Sequence, residues 1–152
     1  MRLALYEPDI PQNAGTLMRL CACLGVSLDI IEPCGFLLTD KNLKRAGMDY
    51  LEKLDMQRHS SWQAFRKTRE GQRLVLLTTK TTDSFLDFKF EAGDILLAGR
   101  ESLGVPEDVH AACDARVTIP MAAGVRSLNV AVAASMVLSE ALRQTNGFPA
   151  KT

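Results

Sequence analysis

Three short segments of this sequence combine glycines, prolines and a few hydrogen-bonding side chains in the manner of a ligand pocket. The first, Gly99-Arg-Glu-Ser-Leu-Gly-Val-Pro106, directly follows the apolar run Ile95-Leu-Leu-Ala98. Its two glycines permit tight turns in which a ligand can approach the backbone closely, and Pro106 can open the next helix. The spacing of Gly99 and Gly104 imitates the start of a phosphate-binding P-loop, but Val105 and Pro106 stand where Lys and Ser/Thr are required, which rules out an ATPase. The second segment, Ile119-Pro-Met-Ala-Ala-Gly-Val-Arg-Ser-Leu-Asn129, sets Arg126, Ser127 and Asn129 at the mouth of a long apolar stretch. Ser127 can serve there as a helix N-cap. Asn129 is expected inside the first turn of an apolar helix, where an unpartnered buried amide costs about 1 to 3 kcal/mol and therefore demands a partner. The third segment, Glu7-Pro-Asp-Ile-Pro-Gln-Asn-Ala-Gly15, leads into a helix whose Arg19 lies off the Leu17, Leu20, Leu24 stripe. By pattern alone that arginine is a solvated cation or a working one.

These segments need a frame to converge. Leu3 to Tyr6, Leu28 to Ile31, Leu74 to Leu77, Ile95 to Ala98 and Val117 to Ile119 are short apolar runs bounded by turn or polar residues, as buried strands are. Helical spacing separates most of them: Pro11 to Gly25, Ser60 to Arg69 and Val105 to Ala112. The alternation predicts an α/β fold with a mostly parallel sheet flanked by helices on both faces. In such sheets ligands sit beyond the carboxyl ends of the strands, where all three segments fall. The stretch from Leu128 to Leu142 has almost no polar face, and a helix apolar all round must be covered all round. The sheet can cover one side, so the other is expected to meet a second copy across a twofold axis.

Composition bounds the partners. With 152 residues and 47% apolar side chains, one domain over 1–152 is the default. Eighteen Lys plus Arg balance eighteen Asp plus Glu, so any basic surface for nucleic acid must be local. Cys21, Cys23, Cys34 and Cys113 form no C-x-x-C pair and have no histidine at ligand spacing, which argues against a metal site and for reduced, buried thiols. No run is long and apolar enough for a membrane span, and the first residues lack the features of a signal peptide, so a cytoplasmic location is expected.

Taken in order, Pro11-Gln-Asn-Ala-Gly15 with Arg19, Gly99-Arg-Glu-Ser-Leu-Gly-Val-Pro106, and Ile119-Pro-Met121 with Arg126-Ser-Leu-Asn129 resemble the three motifs of SPOUT-class RNA methyltransferases. Leu5-Tyr-Glu-Pro8, Ile31-Glu-Pro33, Lys44-Arg-Ala-Gly47 with Asp49-Tyr50, and Leu77-Thr-Thr-Lys80 are similar to one branch, the small tRNA wobble-nucleotide 2'-O-methyltransferases of the TrmL type. The resemblance covers nearly the whole chain. The segment Val130-Ala-Val-Ala-Ala-Ser135 is closer to the wider 2'-O-methyltransferase group, which leaves another tRNA or rRNA site as the alternative substrate.

The resemblance implies a trefoil knot in the C-terminal part, which periodicity alone does not suggest because knots are rare. It also implies S-adenosylmethionine as methyl donor, S-adenosylhomocysteine as product, leucine tRNAs read at the anticodon stem-loop (wobble cytidine or modified uridine) and a homodimer through the C-terminal helix. Leu77, Thr78, Gly99, Glu101, Ile119, Met121, Ser127, Leu128 and Asn129 would surround the cofactor. Arg19 would act at the reacting ribose, with Asn13, Glu101, Ser127 and Asn129 holding the loops. A guanidinium is a reluctant base, so Arg19 is read as stabilising a developing alkoxide and gripping a phosphate. Lys41, Lys44, Arg45, His59 and Arg126 are the expected RNA contacts with Arg19; Arg58 and Arg100 are further candidates. A receiver-like signalling module and a non-catalytic RNA binder are the rivals. The first lacks a phosphorylatable Asp at the end of a middle strand, and the second does not need intact Arg19, Glu101 and Asn129.

Overall fold

A computed structural model describes residues 1–39, 41–42 and 50–151 of the chain. Lys44 and Arg45, expected to meet RNA, lie outside the described residues. Six strands, β1 (Arg2–Tyr6), β2 (Ser27–Ile31), β3 (Met56–His59), β4 (Leu74–Leu77), β5 (Ile95–Ala98) and β6 (Ala115–Val117), form one sheet in the order β3-β2-β1-β5-β4-β6. Every pairing is parallel, with Leu3 opposite Leu28 and Leu96, and Leu76 opposite Leu97 and Arg116. The helices are α1 (Pro11–Leu24), α2 (Trp62–Thr68), α3 (Glu107–Ala112) and α4 (Val130–Gln144).

Alternate side chains of each strand feed opposite faces of the sheet. Leu3, Leu5, Leu28, Ile30, Val75 and Leu96 pack against Leu17, Met18 and Cys21 of α1 and Ala134, Val137 and Leu138 of α4. Ala4, Tyr6, Ile31, Leu76 and Leu97 pack on the other side against Phe65 of α2 and Val109 of α3. Helix α1 begins with Pro11 in its first turn and stops at Gly25, whose φ of 65° is the left-handed cap that glycine adopts without strain. Ser61 caps α2 by accepting a hydrogen bond from the Ala64 amide.

Several boundaries differ from the sequence reading. Strand β3 has no apolar alternation to mark it: Gln57 and Arg58 are exposed because it is the outermost strand on its side. Strand β6 ends at Val117, two residues before the expected limit, and Thr118 instead forms a single bridge with Ser84. Helix α4 starts at Val130 rather than Leu128, because Asn129 is the N-cap. Asn129 is therefore exposed and outside the first turn, and Ser127 is not the cap; the amide oxygen accepts from the Ala131 and Val132 N–H groups at 2.8 and 3.2 Å. Within the single chain α4 buries Ala131, Ala134, Val137, Leu138, Ala141 and Leu142 but leaves Val132 and Met136 exposed. The cysteines are unpaired; Cys21 and Cys113 are buried, Cys34 is half-buried and Cys23 is exposed, against the expectation of burial for all four.

Candidate active site

The carboxyl ends of β1, β5 and β6 deliver the three loops to one place, and a hydrogen-bonded chain ties them together. Asp9, after β1, donates its backbone N–H to Glu101 Oε2 at 3.0 Å and accepts from the Glu101 amide at 3.2 Å through Oδ1. Asn13, in the first turn of α1, donates to Glu101 Oε1 at 3.3 Å and accepts from Asn129 Nδ2 at 3.0 Å. Ser102 donates its hydroxyl to Asp9 as well. After β6 at the sheet edge the chain thus returns across the ends of β4 and β5 to set Asn129 beside Asn13. Sequence reading gave Asn13, Glu101 and Asn129 parts here but not Asp9, whose signal was its place directly after a strand.

The loop at Gly99 is closed on itself. Arg100 and Gly104 exchange backbone hydrogen bonds at 2.9 and 3.1 Å, and a Cβ on Gly99 would lie 2.8 Å from both Cα and the carbonyl carbon of Gly104. No side chain fits between two backbones at that distance. Gly104 itself holds a φ of 64°. Both glycines are therefore set by geometry.

Beside this network opens a cleft of about 510 Å³, within the range typical of small-molecule sites. All nine residues expected to surround a cofactor line it: Leu77, Thr78, Gly99, Glu101, Ile119, Met121, Ser127, Leu128 and Asn129. Asn13 lines it too, with Ile10, Leu103 and Val137 adding apolar wall that the sequence did not single out. The lining suits a ligand with apolar faces and a polar edge. Among the described residues no group of three or more His, Cys, Asp or Glu converges as metal ligands, and no helix is long and apolar enough to cross a membrane.

Charge in the cleft is arranged against one carboxyl. Burial and the neighbouring Asp9 carboxylate push the Glu101 carboxyl above its ordinary range, while the Glu101 hydrogen bond holds Asp9 below its own. The proton of this carboxyl pair is therefore held on Glu101, where a charge costs more than usual, and not on Asp9.

The expected RNA contacts do not all gather here. Arg19 projects from α1 outside the cleft lining, exposed, its Cζ 4.8 Å from the Tyr50 ring centroid and its Nη2 donating to the Tyr50 hydroxyl at 3.4 Å. Lys41 and Arg126 are exposed. His59 is a correction: it is 3% exposed and its Nε2 lies 2.8 Å from Asp29 Oδ1, with Phe65 edge-on at 5.2 Å, so it belongs to the core and cannot touch RNA. Arg58 binds Glu32 and the Leu38 carbonyl, and Arg100 pairs with Glu7 at 3.3 Å over the Tyr6 ring. These two arginines serve the scaffold first.

Comparison with known proteins agrees with the geometry. The SpoU rRNA Methylase family model matches residues 1–139. A tRNA (cytidine(34)-2'-O)-methyltransferase of Beijerinckia indica is 62% identical over 148 residues, covering 96% of this chain and 92% of that one. The enzyme of the same name from Escherichia coli K12 is 43% identical, covering 98% and 96%. A solved structure described as "Structural insights into the 2-OH methylation of C/U34 on tRNA" superposes with a TM-score of 0.88 at 44% identity, covering 94% of each chain. AviRb of Streptomyces viridochromogenes, a SpoU methyltransferase solved with the cofactor AdoMet, gives 0.84 at 29% identity, covering 95% of this chain and 57% of that one.

Proposed function

The chain belongs to the SpoU rRNA methylase family, and from that premise we propose that it methylates the ribose 2'-hydroxyl of the wobble nucleotide, position 34, in leucine tRNAs, cytidine or modified uridine. The coarser reading, a tRNA 2'-O-methyltransferase using S-adenosylmethionine, rests on the near full-length similarity to enzymes of that name. The observation that carries the reading in this chain is the tie between Asn129, Asn13 and Glu101 beside a cleft lined by all three motifs. The residues present fit the cofactor: the cleft has the volume of a small-molecule site and is walled by Leu77, Ile119, Met121 and Leu128, with Glu101 and loop backbone at its edge.

When bound, S-adenosylmethionine supplies an electrophilic sulfonium methyl and leaves as S-adenosylhomocysteine. The protein's work is placement and charge. Leu77, Thr78, Gly99, Ile119, Met121, Ser127 and Leu128 hold the ligand, and Asn13, Glu101 and Asn129 lock the loops that carry them. Arg19 supplies a permanent cation for the alkoxide that develops as the 2'-hydroxyl loses its proton to phosphate or water, and for the adjacent phosphate. Lys41 and Arg126, with Lys44 and Arg45, would meet the anticodon stem-loop. The reading takes 1–152 as one SPOUT domain whose C-terminal part is knotted, acting in the cytoplasm as a homodimer. The exposed Val132 and Met136 on α4 support the dimer, since an apolar face of this kind seeks cover. Sedimentation at micromolar concentration would overturn it by finding a monomer.

The direct test is methyl transfer from labelled S-adenosylmethionine to total tRNA, followed by mapping of the modified nucleotide. Label at the wobble ribose of leucine tRNAs is expected. Label at another nucleotide, or on rRNA, would overturn the assignment of substrate, and absence of S-adenosylhomocysteine binding by calorimetry would overturn the activity itself.

A further inference from the structure

The geometry points to Tyr50 as the positioning residue for Arg19, a role that rests on the reading of Arg19 above. Arg19 stands six residues after Asn13 on α1, so it rises about 9 Å along the helix from the residue that touches the cleft. An exposed arginine there has a long, free side chain, and fixing it costs rotamer entropy at the moment RNA binds. Tyr50 pays that in advance: its ring lies under the guanidinium at 4.8 Å and its hydroxyl accepts from Nη2 at 3.4 Å. Two contacts of different kind, face and edge, define a plane for the guanidinium.

Both partners are anchored. Helix α1 is pinned by Leu17, Met18 and Cys21 in the core. Tyr50 opens a tight turn over Leu51–Lys53, its carbonyl accepting from the Lys53 amide at 3.0 Å, and Leu51 and Leu54 pack onto the same core beneath. Two of the three other stacked arginines give a contrast, and the third, Arg66 over Trp62 at 5.7 Å, differs in having its Nη1 buried without a partner instead of exposed. Arg73 over Phe88 and Arg100 over Tyr6 are each also paired with a carboxylate, Asp94 and Glu7 respectively. Among the described residues Arg19 has the aromatic partner and no carboxylate within ion-pair distance. It is oriented without being neutralised, which is what a cation meant for an RNA phosphate or alkoxide needs.

The test is a double-mutant cycle on the full chain with a leucine tRNA substrate, read by single-turnover methyl transfer. Tyr50→Leu should lower the rate about 10- to 30-fold, the scale of losing part of a preorganised charge, and Tyr50→Phe, which keeps the ring, about two- to threefold. In an Arg19→Lys background Tyr50→Leu should cost less than twofold more, because the two residues act as one unit. S-adenosylhomocysteine affinity should stay within twofold throughout. The Arg19 Nε–H resonance should lose its ring-current shift in Tyr50→Leu and keep it in Tyr50→Phe. Additive losses, an unchanged rate in Tyr50→Leu, or a parallel fall in S-adenosylhomocysteine affinity would each overturn the positioning role. If Tyr50→Leu does not fold, Tyr50→Phe carries the cycle on its smaller effect. A wild-type chain that binds no S-adenosylhomocysteine or labels no tRNA would instead overturn the enzymatic reading.

Discussion

Two networks of this molecule are each centred on a carboxylate, and they differ in what faces it. Asp29, in the middle of β2, is fully buried and accepts from Arg2 Nε at 2.8 Å, Arg69 Nη2 at 2.8 Å and His59 Nε2 at 2.8 Å. Burial works to raise its pKa, but the hydrogen bonds from Arg2, Arg69 and His59 outweigh it and leave the carboxyl below its ordinary range. Glu101 meets amides and a second carboxylate instead, and its pKa is raised. The first network is neutralised from within and welds β2 to the end of α2. Among the described residues the second brings no cation to Glu101, which lines the cleft and is bonded only by the Asp9 amide, Asn13 and the Asp9 carboxyl. A polar residue's role is decided by whether its partners already satisfy it.

The largest break in this comparison comes from Asp29→Asn. It leaves Arg69 without its anion and Arg2 with only the exposed Asp55 at 3.6 Å, and should cost about 3 to 5 kcal/mol in urea unfolding, the penalty of breaking a buried pair. S-adenosylhomocysteine affinity of the folded fraction should be unchanged. The folded pKa of Asp29 lies below its unfolded value, so this stability is present above the ordinary carboxylate range and is lost as pH falls through the folded value. The gap between wild type and Asn variant should therefore close in acid. A gap constant with pH would show that packing and not charge holds the network.

Gly99→Ala acts on the other network. The new Cβ must displace the Gly104 backbone from 2.8 Å, a strain on the order of 1 to 3 kcal/mol, and the cleft wall moves with it. S-adenosylhomocysteine affinity should fall at least tenfold by calorimetry, about 1.4 kcal/mol or more. Unchanged affinity would remove this loop from the cofactor site. A smaller effect separates capping from tying at Asn129. Asn129→Ala should lose about 1 kcal/mol of stability with the cap. Asn129→Asp keeps the acceptor for the Ala131 and Val132 amides but loses the donor to Asn13. It should fold like wild type while methyl transfer falls, and equal activity would mean that the tie to Asn13 is idle.

Much of the cleft was legible in the sequence because its parts are backbone-determined. Gly99, Gly104 and Pro106 encode a turn by their allowed angles, and strands such as Leu74–Leu77 and Ile95–Ala98 are unbroken apolar runs that parallel pairing demands. What failed was whatever depends on a distant partner. His59 looked like a surface base because nothing nearby in sequence announces Asp29, thirty residues away, or Phe65 beside it. Strand β3 was hidden because an edge strand buries one side only, and Asn129 was misplaced because a two-residue shift of the helix start, from Leu128 to Val130, turns a first-turn residue into a cap. The pairing of Arg19 with Tyr50 joins residues 31 apart in the chain, and no local pattern announces it.

The finest test of the contrast between the two networks is its opposite pH behaviour. Glu101 has a folded pKa above its unfolded value, so the folded state holds that proton more tightly. The stability this contributes is full below the ordinary glutamate range and disappears as pH rises through the folded value, the reverse of Asp29. Glu101→Gln fixes the neutral form but has one acceptor oxygen where the carboxylate has two, so it loses part of the bonding to Asp9 and Asn13 at every pH. The pH-independent loss and the pH-dependent gain are separable: relative to wild type, the Gln variant should gain about 2 °C in melting temperature between pH 4 and pH 7. A difference that shrinks over that interval would mean that Glu101 is stabilised as the anion. It would then resemble Asp29 in being satisfied from within, and the cleft would lose its distinguishing carboxyl.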